Sequence, residues 1–168
     1  MHTIDVIDET ILNHPTDRVW HALVAELNGA ANWWTPHNTF QPGPTAPQHK
    51  GGTSRITVHP NGVGKPGPKL RFTATTTHVD AERQLTTTLS GHFTGDFSYT
   101  LTPVDDGART RLTITFTSTP HGWPALLDKV AHLGFKHSQQ TQRALTQLRA
   151  HLDTHLDTHR DDAKGTSA

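Results

Sequence analysis

One tyrosine and two histidines give this chain its candidates for acid–base chemistry. Tyr99 is the only tyrosine. It sits in a segment of alternating apolar residues, where a buried phenol needs a hydrogen-bond partner. His78, on a second such segment, and His137, on a helical stripe, could supply that partner. Together they could enolise a ketone or protonate an alkoxide in an aldol-type cyclisation. An interior histidine is more often a structural hydrogen bonder than a catalyst, so both readings stay open.

A second pattern is His151, His155 and His159 within His-Leu-Asp-Thr-His-Leu-Asp-Thr-His. Imidazoles at i and i+4 share a helix face and can chelate zinc or nickel. A stable centre also needs further ligands and an orienting shell, and neither is visible, so no metal is expected. Gly62 to Lys69 lacks the G-x-x-x-x-G-K-[ST] spacing and reads as a hairpin loop. No Ser-His-Asp order, H-E-x-x-H signature or dinucleotide fingerprint is present, so no cofactor is expected. With no cysteine there is no disulfide frame, thiolate site or cysteine nucleophile.

Composition narrows the classes further. Lys plus Arg equals Asp plus Glu at 15 each, so no net charge advertises nucleic acid. No apolar run approaches the ~20 residues of a membrane span, so no membrane insertion is expected. The start, Met1-His2-Thr3-Ile4-Asp5, lacks the basic and apolar regions of a signal peptide, and a cytoplasmic location is expected. Only 32% of residues are hydrophobic, but Thr occupies many strand positions and suits them. The 168 residues suffice for one domain with a buried core.

Several elements must position the candidates. A first strand is expected over 3–13. Pro15-Thr16-Asp17 then starts a helix whose apolar face is Val19, Trp20, Leu23, Val24 and Leu27, ending at Asn28-Gly29. Ala30 to Trp34 reads as a short second helix stopped by Pro36, with one tryptophan of Trp33-Trp34 plugging the core and the other edging a cavity. The alternative is that both pack against the helices. Phe40 to Gly52, rich in Pro, Gly and Gln, reads as an irregular edge or loop. Strands are expected at 53–59, 69–79, 83–91, 92–103 and 109–118, joined by short turns and therefore antiparallel. From Trp123 to about His159, Leu127, Val130, Leu133, Phe135, Ala144, Leu145, Leu148, Leu152 and Leu156 recur at helical spacing. The domain should span 1–160, with 161–168 a disordered tail.

Strand parity places Leu70, Phe72 and Ala74 on one face, with Leu85, Thr87 and Leu89, with Phe93, Phe97, Tyr99 and Leu101, and with Leu112, Ile114 and Phe116. Their alternates are mostly polar. A sheet apolar on one face must be covered on that face, here by the helices.

These residues resemble a known family. Ile11-Leu-Asn-His-Pro-Thr-Asp-Arg-Val-Trp20, continuing to Asn32-Trp-Trp-Thr-Pro36, is similar to the opening of the polyketide cyclase/dehydrase family of the START-like, Bet v 1-like superfamily. Val79-Asp-Ala-Glu-Arg-Gln-Leu85, Phe97 to Gly107 and Arg111 to Phe116 fit as well. The likeness covers about residues 4–152. It implies an α+β helix-grip fold: a seven-stranded curved antiparallel sheet wrapped around a long C-terminal helix, with two short helices after the first strand. Relatives bind lipids, polyketides, sterols or other apolar molecules, and a minority catalyse ring closure. The family has no universal catalytic motif, so no catalytic residue transfers.

The expected cavity wall is Phe72, Thr76, His78, Thr87, Leu89, Phe97, Tyr99, Ile114 and Phe116 on the sheet, Leu133 and His137 on the long helix, and Trp34 at the entrance. The same residues could instead fill a solid core. The leading expectation is a receptor for a hydrophobic small molecule, lipid-like or polyketide-like. The alternatives are a cofactor-free cyclase or dehydratase using Tyr99, His78 or His137, and a protein-interaction module. A monomer or weak homodimer is expected.

Overall fold

The structure, a computed structural model, describes residues 3–34, 37–126 and 130–162, without the side chains of 126–135 and 155–162. Seven antiparallel strands form one sheet: β1 Ile4–Leu12, β2 Asn38–Pro42, β3 Thr53–Val58, β4 Leu70–Asp80, β5 Gln84–Gly91, β6 Phe93–Val104 and β7 Arg109–Pro120. Their spatial order is β1-β7-β6-β5-β4-β3-β2, a meander with the first strand folded back onto the last. Helix α1 spans Thr16–Leu27 and helix α2 spans Val130–Asp162, preceded by a 3-10 turn at Trp123–Leu126.

The elements form for the reasons the alternation suggests. On β6 and β7, Phe93, Phe97, Tyr99, Leu101, Leu112, Ile114 and Phe116 are all buried, while most neighbours between them are hydroxyl-bearing or charged and less covered. The buried stripe of α2 is Thr141, Ala144, Leu145, Leu148 and Leu152, one helix face at three- and four-residue steps. That face lies chiefly on β1 and α1. Leu127 is outside the described residues, as are the side chains of Val130, Leu133, Phe135 and Leu156.

Four expectations about the elements need correction. Trp123–Leu126 is a 3-10 turn, and α2 is described from Val130, with 127–129 outside the described residues. At its other end α2 continues through Asp162, past the expected tail boundary, and 163–168 lie outside the described residues. The second short helix is absent among the described residues: Ala30–Trp34 is a turn, because the backbone N–H groups of Trp33 and Trp34 donate to the Glu26 carboxylate (3.2 Å each). Lastly, of the edge and loop readings for the segment from Phe40, the edge reading holds but starts earlier: Asn38–Pro42 is the edge strand, in register with β3 from Asn38↔Val58 to Pro42↔Ser54. The glycine-rich segment after it folds back on β4, where Gly51 donates to the Thr76 carbonyl and the Thr76 amide to Gly52 (2.8 Å each).

Curvature has a local cause on β6. Gly95 has φ +133, and a Cβ there would lie 2.1 Å from the Thr117 carbonyl oxygen on β7. Only glycine permits that approach, which occurs between the inward residues Phe93 and Phe97.

Candidate functional site

The concave side of the sheet and the first turns of α2 enclose a cavity of about 220 Å³. Its deep wall is aromatic: Phe72 from β4, Phe93, Phe97 and Tyr99 from β6, and Phe116 from β7. Phe40 from β2, Ile56 and Val58 from β3, and Ile4 from β1 close the sides. Pro60, Pro68, Trp123 and Lys136 line it while remaining exposed, and so mark the mouth.

The rings form a continuous set. Phe97 is central, with centroids 4.9 Å from Tyr99, 5.4 Å from Phe116, 6.2 Å from Trp34 and 6.2 Å from His137. Phe93 joins Phe72 to Phe116 at 5.4 and 5.8 Å, both edge-on. Such tilted geometries match the ring quadrupoles, and each pair adds about 0.5–1.5 kcal/mol beyond burial.

Glu26 sets the corner that brings Trp34 to this wall. It is buried on α1, its two oxygens take the Trp33 and Trp34 amides, and the Trp33 indole donates to the Ala22 carbonyl (3.1 Å). Both tryptophans are therefore buried, stacked at 5.1 Å, and only Trp34 reaches the cavity. The Trp34 indole N–H meets the Asn38 carboxamide oxygen at 3.1 Å. Burial raises the Glu26 carboxyl above its usual range, and the two amide donors only partly oppose that.

The polar lining is sparse. Tyr99 is 1% exposed and its hydroxyl makes no hydrogen bond among the described residues. Burial, with the Glu26 carboxylate as a second cause, pushes that hydroxyl well above the ordinary phenol range. His137 lies flat on Phe116, at 4.2 Å and 8° between planes. It is half-buried and borders the cavity, and burial lowers its imidazole to about 4, against an opposing pull from the Asp8 carboxylate. Thr141 spends its proton on the His137 carbonyl (2.9 Å), so towards Nδ1, 3.5 Å away, its oxygen can only accept. Gln140 and Lys136 complete a polar strip on α2.

Of the residues expected at the cavity, Trp34, Phe72, Phe97, Tyr99, Phe116 and His137 line it. His78 does not. The β4–β5 register slips between Thr76 and His78, and a one-residue bulge reverses parity, so His78 is exposed. Thr76, Thr87, Leu89 and Ile114 are buried elsewhere in the core. Thr76 donates to the Pro47 carbonyl (2.6 Å) and Thr87 to the Phe97 carbonyl (3.1 Å), bonds that commit them to structure. The Leu133 side chain lies outside the described residues. Tyr99 and His137 make no direct hydrogen bond, so the expected acid–base pair is not assembled. Sequence reasoning passed over Phe40, which fell in a segment read as irregular edge or loop, and Ile56 and Val58, whose strand was expected but whose inward face was not assigned. It also missed Trp123, Lys136 and Gln140.

Among the described residues no group of three or more His, Asp or Glu could hold a metal ion, and the side chains of His155 and His159 lie outside them. Nor, among them, is any helix long and apolar enough to cross a membrane.

The family model for polyketide cyclase/dehydrase and lipid transport matches residues 3–153. The chain belongs to that family. The helix-grip fold is shared with solved structures at low identity. The Zhui aromatase/cyclase from Streptomyces sp. R1128 superposes with a TM-score of 0.68 at 16% identity, over 92% of this chain and 96% of its own. TTHA0849 from Thermus thermophilus gives 0.65 at 17%, over 89% and 97%. Ms6760 from Mycobacterium smegmatis gives 0.63 at 20%, over 90% and 92%. No curated protein sequence matches the chain. Family membership supports ligand binding or cyclase chemistry in general terms.

Proposed function

We propose that this protein is a receptor or carrier for a small aromatic or apolar molecule held between the sheet and α2. The single observation carrying this reading is the cavity of about 220 Å³ with an aromatic wall and few polar groups. Its volume also selects among the family's ligands. A cavity of about 150 Å³ holds one benzene ring, and sites for drug-sized molecules run from about 300 Å³ upward. One or two fused rings, or a short acyl chain, therefore fit better than a long folded polyketide.

Binding is favoured over catalysis by the state of the two acid–base groups. A general acid or base works best with a pKa near the working pH. His137 is lowered to about 4 and Tyr99 is raised, so both move away from neutrality in the ligand-free cavity. Each is fitted to give or take a hydrogen bond while keeping its proton state.

A thermal-shift series with 2-naphthol, a medium-chain fatty acid and a four-ring polyketide tests the reading. A ligand at 100 times its dissociation constant adds about 2.7 kcal/mol. At about 2–4 °C per kcal/mol for a domain of this size, the melting point rises by about 5–11 °C. The naphthol should stabilise and the four-ring compound should not. No shift from any of the three refutes the proposal.

A further inference from the structure

The charges around the cavity are as unevenly distributed as the rings. Among the described residues that line the cavity, Lys136 alone carries a formal charge. It is exposed at the mouth, beside His137 and one helical turn before Gln140, and it has no ion-pair partner among the described residues.

The opposite side of the mouth is built from a stretch without acids. Between Glu26 and Asp80 the sequence contains no Asp or Glu, but it contains Lys50, Arg55, Lys65, Lys69 and Arg71. This stretch forms β2, β3, the loop after β3 and most of β4, and it contributes Phe40, Val58, Pro60, Pro68 and Leu70 to the cavity. Its field is already felt locally: besides burial, the charges of Lys69 and Arg71 hold the His59 imidazole below its ordinary range. The whole chain has a formal net charge of zero, so the excess of cations is local to this stretch, although Arg55 and Arg71 stand on the outer side of the sheet with Gln41, Thr57 and Thr73 and do not line the cavity.

Resting on the receptor reading above, we infer that the ligand is an amphiphilic acid, with its rings in the aromatic pocket and its carboxylate at the mouth against Lys136. The Gln140 amide, on the same helix face, is positioned as a second donor. A wholly apolar ligand would leave the ammonium unpaired beside it, and a cationic one would meet it as a like charge. One ammonium and one amide suit a single small anion. Because Lys136 is exposed, its effect is modest and sensitive to salt.

Isothermal titration calorimetry on the full chain at pH 7.5 tests this with two probes of one skeleton, 2-naphthoic acid and 2-naphthylmethanol. In 50 mM NaCl the acid is expected to bind about fivefold more tightly than the alcohol, near the upper end for an exposed ion pair. In Lys136→Met the ratio should fall to about one, and Lys136→Arg should restore most of it. In 500 mM NaCl the wild-type ratio should fall towards the Lys136→Met value, a readout that needs no variant to fold. If both probes bind with equal affinity, or if the preference survives in Lys136→Met and at high salt, the inference is overturned while the receptor reading stands. If neither probe binds, the receptor reading fails and the inference with it.

Discussion

Replacing His137 with phenylalanine is expected to make the protein more resistant to acid. The imidazole lies flat on Phe116 with 4.2 Å between centroids, so a phenyl ring of similar shape preserves the stack. In the folded chain burial lowers His137 from 6.5 to about 4, the Asp8 carboxylate opposing. As pH falls through about 6.5, the unfolded chain takes up a proton that the folded chain refuses. Stability is thus intact above 6.5, declines below it, and stops declining once pH passes below about 4. At 1.36 kcal/mol per pH unit, the full loss is about 3.4 kcal/mol, of which about 2.4 kcal/mol falls between pH 7 and pH 4.5. The other histidines titrate in both proteins and cancel in the difference. Urea unfolding followed by tryptophan fluorescence measures it. With an m-value of about 2 kcal/mol per molar, the wild-type midpoint should fall about 1.2 M further than that of His137→Phe over this range. Equal falls in the two proteins would show that the folded state accepts the proton, and the account of a neutral, desolvated imidazole would be wrong.

Three further outcomes follow from the same geometry. Phe97→Ala removes the ring that touches Trp34, Tyr99, Phe116 and His137, and urea unfolding should report a loss of about 3–5 kcal/mol. A cost below ~1.5 kcal/mol would mean those rings are not packed as described. Gly95→Ala places a Cβ against the Thr117 carbonyl at a φ of +133, and should cost at least about 2 kcal/mol, seen as a melting point lower by about 4–8 °C. His78→Ala, on the exposed side of the β4 bulge, should change stability by less than ~0.5 kcal/mol and leave 2-naphthol binding unaltered; a clear loss of binding would return His78 to the cavity.

Much of the frame could be read from the residues because strand parity and helical spacing are local properties. Phe93, Phe97, Tyr99 and Leu101 alternate along one strand, and Ala144, Leu145, Leu148 and Leu152 recur along one helix, whatever lies opposite them. Parity failed at His78 because a bulge is a mismatch between two strands, and one strand's sequence does not record it. The tryptophan corner was misread for a related reason. A helix over 30–34 satisfies local propensity, but the carboxylate of Glu26, seven and eight residues earlier, takes the two amides instead. The Pro- and Gly-rich composition after Asn38 obscured β2, which is strand only because β3 lies alongside it.

Composition and spacing by themselves determined most of the strands, the one-sided sheet and the long terminal helix, since each follows from the period of apolar residues along the chain. They also determined the acid-free stretch between Glu26 and Asp80. Only the folded structure decided that residues of this stretch and Lys136 line one cavity, and that Tyr99 and His137 share it without a hydrogen bond between them. A volume of about 220 Å³ is what remains where side chains distant in sequence stop short of one another, and no local pattern encodes that remainder.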